Sequence, residues 1–186
     1  MTGPKAVARP AVPERRLLEA VAAELTARGY RTYLDPDRTD YFDLVARRGD
    51  EVGLVEGKVG DARAVLAQAV RRRPWSDWVA VVLGSERSAA RLVQRTNGRR
   101  AGVVGVWSFE NGRLQELRPA GRTHGTGGAD PFREMRARLL RHLVDLDQGL
   151  LPPGVRWSSV ASAVRRASAG RGFAEWRLDE LDDAPG

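Results

Sequence analysis

Two acids and a lysine, Asp43, Glu56 and Lys58, stand in two segments of strand-like alternation, 42–47 and 52–59, separated by a turn around Gly49-Asp50. If Arg47 pairs with Val52 across that turn, Val45 falls opposite Leu54 and Asp43 opposite Glu56. Side chains alternate along a strand, so Asp43, Val45, Leu54, Glu56 and Lys58 then share one face. A slip of one residue would scatter the set. Facing carboxylates repel unless a cation sits between them. A divalent ion there would polarise a phosphodiester and acidify a bound water. Lys58 would orient that water or stabilise charge developing on the phosphate. These residue types together suit phosphodiester hydrolysis.

Lys58 is set apart by composition. Of 31 basic residues only Lys5 and Lys58 are lysine, and Lys5 lies in the proline-containing N-terminal arm. Lysine is a compact point charge whose pKa shifts readily, which arginine cannot imitate.

The elements that must position these groups can be read from periodicity. Residues 14–28 place Leu17, Leu18, Val21, Ala22 and Leu25 at helical spacing before Gly29. Residues 30–34 read as a short strand, followed by the hairpin 42–59. Asp61 caps a helix expected through Arg73, and the apolar run 78–83 has the character of a buried central strand. Ser85 caps a helix to about Gln94, residues 103–107 form a strand, and Asn111-Gly112 turns the chain into 114–117. The order α-β-β-β-α-β-α-β, with a final short strand, predicts an α/β fold with a mixed sheet. Residues 1–13 form a flexible arm and 14–120 the main domain; 121–130 read as a Gly-rich linker and 131–186 as a small, mainly helical C-terminal unit. In that unit 131–147 is an amphipathic helix and 157–168 a second helix.

Composition bounds the chemistry. The chain has 186 residues, of which 42% are hydrophobic and 30% charged, as in an ordinary globular protein. No cysteine is present and the histidines are two, His124 and His142, so a metal must rely mainly on oxygen ligands. That points to magnesium, or to manganese. The net charge of +7 and pI near 10.8 suggest a polyanionic partner such as nucleic acid. The longest apolar run is strand-sized, so no membrane partner and a cytoplasmic location are expected.

The acid followed by Glu-x-Lys on the adjacent strand, here Asp43-Leu-Val-Ala and then Leu-Val-Glu56-Gly57-Lys58, resembles the PD-(D/E)xK nuclease superfamily. Within it, the stretch DLVARRGDEVGLVEGK…LAQAVRRRPWSDWVAVVL is similar to a bacterial family of PD-(D/E)xK phosphodiesterases, and more distantly to archaeal Holliday-junction resolvases. The resemblance covers about residues 14–118 and implies a restriction-endonuclease-like α-β-β-β-α-β core. It implies that Asp43, Glu56 and the Gly57 carbonyl hold magnesium or manganese and that Lys58 is the catalytic lysine. A supporting glutamate from the first helix would be Glu19, chosen over Glu14 and Glu24, and a supporting glutamine Gln68. This sequence departs from the pattern at Gly57, where an aliphatic residue is commoner, and in lacking the proline before Asp43.

The implied activity is a metal-dependent nuclease acting on DNA in preference to RNA, an endonuclease before an exonuclease, with a homodimer suiting double-strand cutting. The alternative is an inactive nuclease-fold protein that binds nucleic acid or serves as an accessory interaction module. Arg71, Arg72 and Arg73 could grip phosphates or form a solvated helix end. Trp75 and Trp78 suit the core better than base stacking. Arg165 and Arg166 would enter a groove if the C-terminal unit were winged-helix-like; a helical lid packed on the core is the simpler expectation.

Overall fold

Gly49 takes a left-handed φ of +60°, returning the chain at once into its partner strand. The result is the hairpin of β2 (Leu44–Arg48) and β3 (Glu51–Lys58), paired in the expected register, with Val45 opposite Leu54 and Arg47 opposite Val52. Asp43 lies immediately ahead of β2 rather than inside it. The computed structural model of the chain describes residues 13–34, 42–123 and 133–150.

Around this hairpin stand α1 (Glu14–Ala27), β1 (Arg31–Leu34), α2 (Ala62–Arg72), β4 (Trp78–Leu83), α3 (Glu86–Thr96), β5 (Gly105–Glu110), β6 (Arg113–Arg118) and α4 (Arg133–Asp147). The sheet runs β1 to β6 in sequence order, with β3, β4 and β5 parallel and the remaining pairs antiparallel. The chain is therefore α/β with a mixed six-stranded sheet. Among the described residues no helix is long and apolar enough to cross a membrane.

Local chemistry sets the helix starts. The Asp61 carboxylate accepts from the backbone N–H groups of Arg63 and Ala64, and the Ser85 hydroxyl accepts from Ser88 N–H. One expectation is corrected. The strand expected at 103–107 begins only at Gly105 and continues to Glu110, after a tight turn at Arg100–Val103. The two-residue turn at Asn111 and Gly112, both at positive φ, pairs Glu110 with Arg113 and so carries the ladder to its very end.

Alternation divides the strands between two faces. Leu44, Ala46, Val55, Ala80 and Val82 pack under α1 through Leu17, Val21 and Leu25. On the other face Val79, Val81 and Leu83 lie under α2 and α3, while Val45, Val52 and Leu54 lie under α4 through Met135, Leu139 and Leu143. Each of these three side chains contributes roughly 1.5–3 kcal/mol by leaving water. Trp75 and Trp78 are core residues, 1% and 9% exposed, so neither offers a stacking surface. A Cβ at Gly53 would stand 2.0 Å from the Trp78 ring, so only glycine lets that indole lie flat on β3.

The first three residues expected in the linker are tied down. Thr123 donates its N–H to Asp77 O at 2.8 Å and its hydroxyl to Ser76 O at 2.6 Å, and Arg122 bridges to Trp78. Helix α4 packs on the sheet through Met135, Leu139 and Leu143, and Asp147 at its end holds it there. The carboxylate accepts from Tyr33 Oη at 2.6 Å and Arg47 at 2.7 Å, and pairs with Arg31 at 2.9 Å. The expected helix at 157–168, with Arg165 and Arg166, lies outside the described residues, as does the arm before residue 13.

Candidate active site

Because Leu44 pairs with Val55, Asp43 arrives beside the last residues of β3. The Gly57 N–H donates to Asp43 Oδ2 at 2.9 Å, which fixes that carboxylate against the strand. Gly84 N–H donates to Lys58 O, so the Lys58 backbone faces β4. Backbone groups alternate sides along a strand, which turns the Gly57 N–H and carbonyl toward Asp43.

Glu56 is 2% exposed and stands in hydrogen-bonding reach of Asp43. Burial, and then the Asp43 charge, push its carboxyl up to about 8, against the opposing pull of Arg72. Burial likewise raises Asp43, while the Gly57 N–H and Arg72 oppose the rise. The pair is thus short of positive charge, and Glu56 keeps its proton at neutral pH. Arg72 supplies part of the need, donating to Glu56 at 3.2 Å with its guanidinium 5.6 Å from the Phe42 ring centre.

Lys58 projects from the end of β3 and pairs with Glu14 at 3.3 Å. Glu14 also bears on Asp43, whose pKa it helps to raise. The helix glutamate at the site is therefore Glu14, not Glu19. Glu19 faces outward and pairs with Arg15 at 2.8 Å on the exposed side of α1. Gln68 is half-buried in the middle of α2.

The arginine triplet divides. Arg71 is exposed, Arg72 turns inward to Glu56, and Arg73 donates to Thr123 O at 3.2 Å. Burial and the nearby Arg100 lower the pKa of Arg73. Of the three, Arg71 alone is left exposed, where it could grip phosphate or serve only as a solvated helix end. The signal was in the sequence: Arg72 and Arg73 lie three residues beyond Ala69 and Val70, and so continue the buried stripe of α2.

Gly57 has a packing reason. A Cβ there would meet Leu18 Cδ2 at 3.0 Å, so the leucine of α1 fills the space that an aliphatic side chain on β3 would take.

Two carboxylates and a carbonyl oxygen make a hard donor set. Magnesium is commonly held by one or two carboxylates with water and substrate oxygens completing its shell. The charge deficit at Asp43 and Glu56 fits that use. Among the described residues no group of three or more acids or histidines is gathered for a metal.

No family model matches the chain, and no curated protein matches it. Among solved structures the chain is similar to a protein of unknown function from Silicibacter pomeroyi, with 18% identity and a TM-score of 0.50, over 91% of this chain and 99% of that one. At that identity the likeness speaks to the fold alone.

Proposed function

We propose that the chain is a divalent-metal-dependent nuclease of the PD-(D/E)xK kind, with a restriction-endonuclease-like core, hydrolysing phosphodiester bonds in DNA. The observation that carries this reading is the hairpin register, which sets Asp43 beside Glu56 with Lys58 next along β3. Asp43, Glu56 and the Gly57 carbonyl would hold magnesium or manganese, which supplies Lewis acidity toward the phosphate and acidifies bound water. Occupancy requires Glu56 to give up its proton, so binding strengthens as pH rises. Arg72 fixes the orientation of Glu56, and Lys58, steadied by Glu14, meets charge developing on the phosphate.

The test is cleavage of plasmid and oligonucleotide DNA, with RNA alongside, in magnesium or manganese. Lys58→Ala should lose about a hundredfold or more in rate while remaining folded, and Lys58→Arg should not restore it. Intact substrate in every lane with folded wild-type protein overturns the enzyme reading. One observation favours a second reading, an inactive nuclease-fold protein that binds nucleic acid: Arg72 already pairs with Glu56 where a cation would compete. That reading expects salt-sensitive binding without cleavage.

A further inference from the structure

Among the described residues, several arginines outside the acid pair find carboxylates. Arg15 pairs with Glu19, Arg28 with Glu24 and Glu116, and Arg48 with Glu51. The cleft between α2 and α3 is different. It encloses about 440 Å³ and is lined by Arg63, Arg91, Arg95 and Arg99, with Ser88 at its side and Leu66 at its floor, and by no acid. Among the described residues Arg63, Arg91 and Arg95 have no carboxylate partner. Arg91 and Arg95 are one helical turn apart on α3, about 6 Å along its axis, and Arg99 lines the same cleft beyond the helix end. Converged like charges are unfavourable without an anion between them.

The cleft is separate from the acid pair. Both lie on the same face of the sheet, but Ala62, Arg63 and Leu66 present one flank of α2 to the cleft while Arg72 presents another to Glu56. We infer that this cleft is a second anion site, which holds the phosphodiester backbone of a nucleic acid away from the acid pair. A row of guanidinium groups suits this ligand, since each can fork two N–H donors onto phosphate oxygens and stays charged at any working pH. Such contacts position a strand without reading its bases. The inference goes beyond the reaction proposed above, and holds equally for a chain that binds nucleic acid without cutting it.

The test is fluorescence anisotropy with a short labelled DNA, single-stranded and duplex, titrated in EDTA so that cleavage plays no part. Wild type is compared with Arg91→Ala plus Arg95→Ala, and with Arg16→Ala plus Arg113→Ala, an equal charge loss at exposed sites elsewhere. The cleft pair should make the slope of log affinity against log salt shallower by about 1.8, because each duplex phosphate contact contributes about 0.9. The fall in affinity between about 50 and 200 mM salt then shrinks roughly twelvefold. The control pair should change the slope by less than half as much. Arg91→Lys plus Arg95→Lys should keep it, and all variants should melt near wild type because the altered side chains are exposed. Equal slopes for the cleft and control pairs overturn the inference. So does wild-type protein that leaves the DNA free at low salt, or that takes phosphatidylserine vesicles or inorganic phosphate through Arg91 and Arg95 but not DNA. Failure of cleavage in magnesium with these slopes intact would sink the nuclease reading and leave the cleft standing.

Discussion

Replacing Glu56 by glutamine tests the charge deficit at the site directly. The folded chain holds the Glu56 proton up to about pH 8, against about 4.5 for a free carboxyl. Each unit of difference is worth 1.36 kcal/mol, so ionising Glu56 in the folded, metal-free protein costs about 5 kcal/mol. The sign follows from the direction. A folded pKa above the unfolded one means that the native state binds the proton more tightly. The stability it contributes is complete below about pH 4.5 and is lost as pH rises through about 8. Between about pH 5 and pH 8.5 the wild type should lose roughly 4 kcal/mol, or some 8–16 °C in Tm for a chain of this size. The assay is thermal unfolding by circular dichroism in EDTA across that range. Glu56→Gln cannot ionise, so its Tm should stay nearly level and exceed that of wild type at the alkaline end. Magnesium added at the alkaline end should raise the wild-type Tm more than that of Glu56→Gln, which keeps only the Asp43 carboxylate to draw the cation. Parallel losses in the two proteins would refute the reasoning, since the pH dependence would then come from other groups.

Four further outcomes follow from the geometry. Glu14→Gln removes the partner of Lys58 and should slow metal-dependent cleavage about 10–100-fold, as loss of supporting partners at metal sites does. Glu19→Gln, on the exposed side of α1, should leave the rate within about twofold in the same assay. Leu139→Ala, at 1% exposure on the buried side of α4, should cost about 2–5 kcal/mol, read as a lower urea midpoint. Gly53→Ala forces a methyl into the Trp78 ring and should cost about 1–3 kcal/mol or more, with an altered near-UV tryptophan signal; adding Trp78→Leu should recover part of the loss.

How much of this could be read from the residues alone depends on the range of the signal. The β2–β3 register was legible because Gly49 accepts the left-handed φ that a tight return needs, and alternation then admits one buried set. The caps at Asp61 and Ser85 were legible because they act within a turn. Which glutamate of α1 reaches the site was not. Glu14, Glu19 and Glu24 recur every five residues, and only the packing of Leu17, Leu18 and Val21 decides which helix end meets Lys58. The inward turn of Arg72 was half legible: its place on the buried stripe is periodic, but its partner lies on another element. The arginine cleft was hidden for the same reason, since Arg63 and Arg91 belong to different helices and meet only when α2 and α3 pack side by side.

The Asp147 clamp has a consequence for how the chain is made. Its tyrosine partner lies 114 residues earlier. At about 5–20 residues per second, the ribosome takes roughly 6–23 s to travel from one to the other. Once β3 has been made, the β2–β3 hairpin can pair for the rest of that interval, yet Phe42, Val45 and Leu54 have no α4 above them. The nascent protein therefore carries its own apolar wound until its fourth helix arrives, and chaperones that shield such surfaces have their opportunity in those seconds.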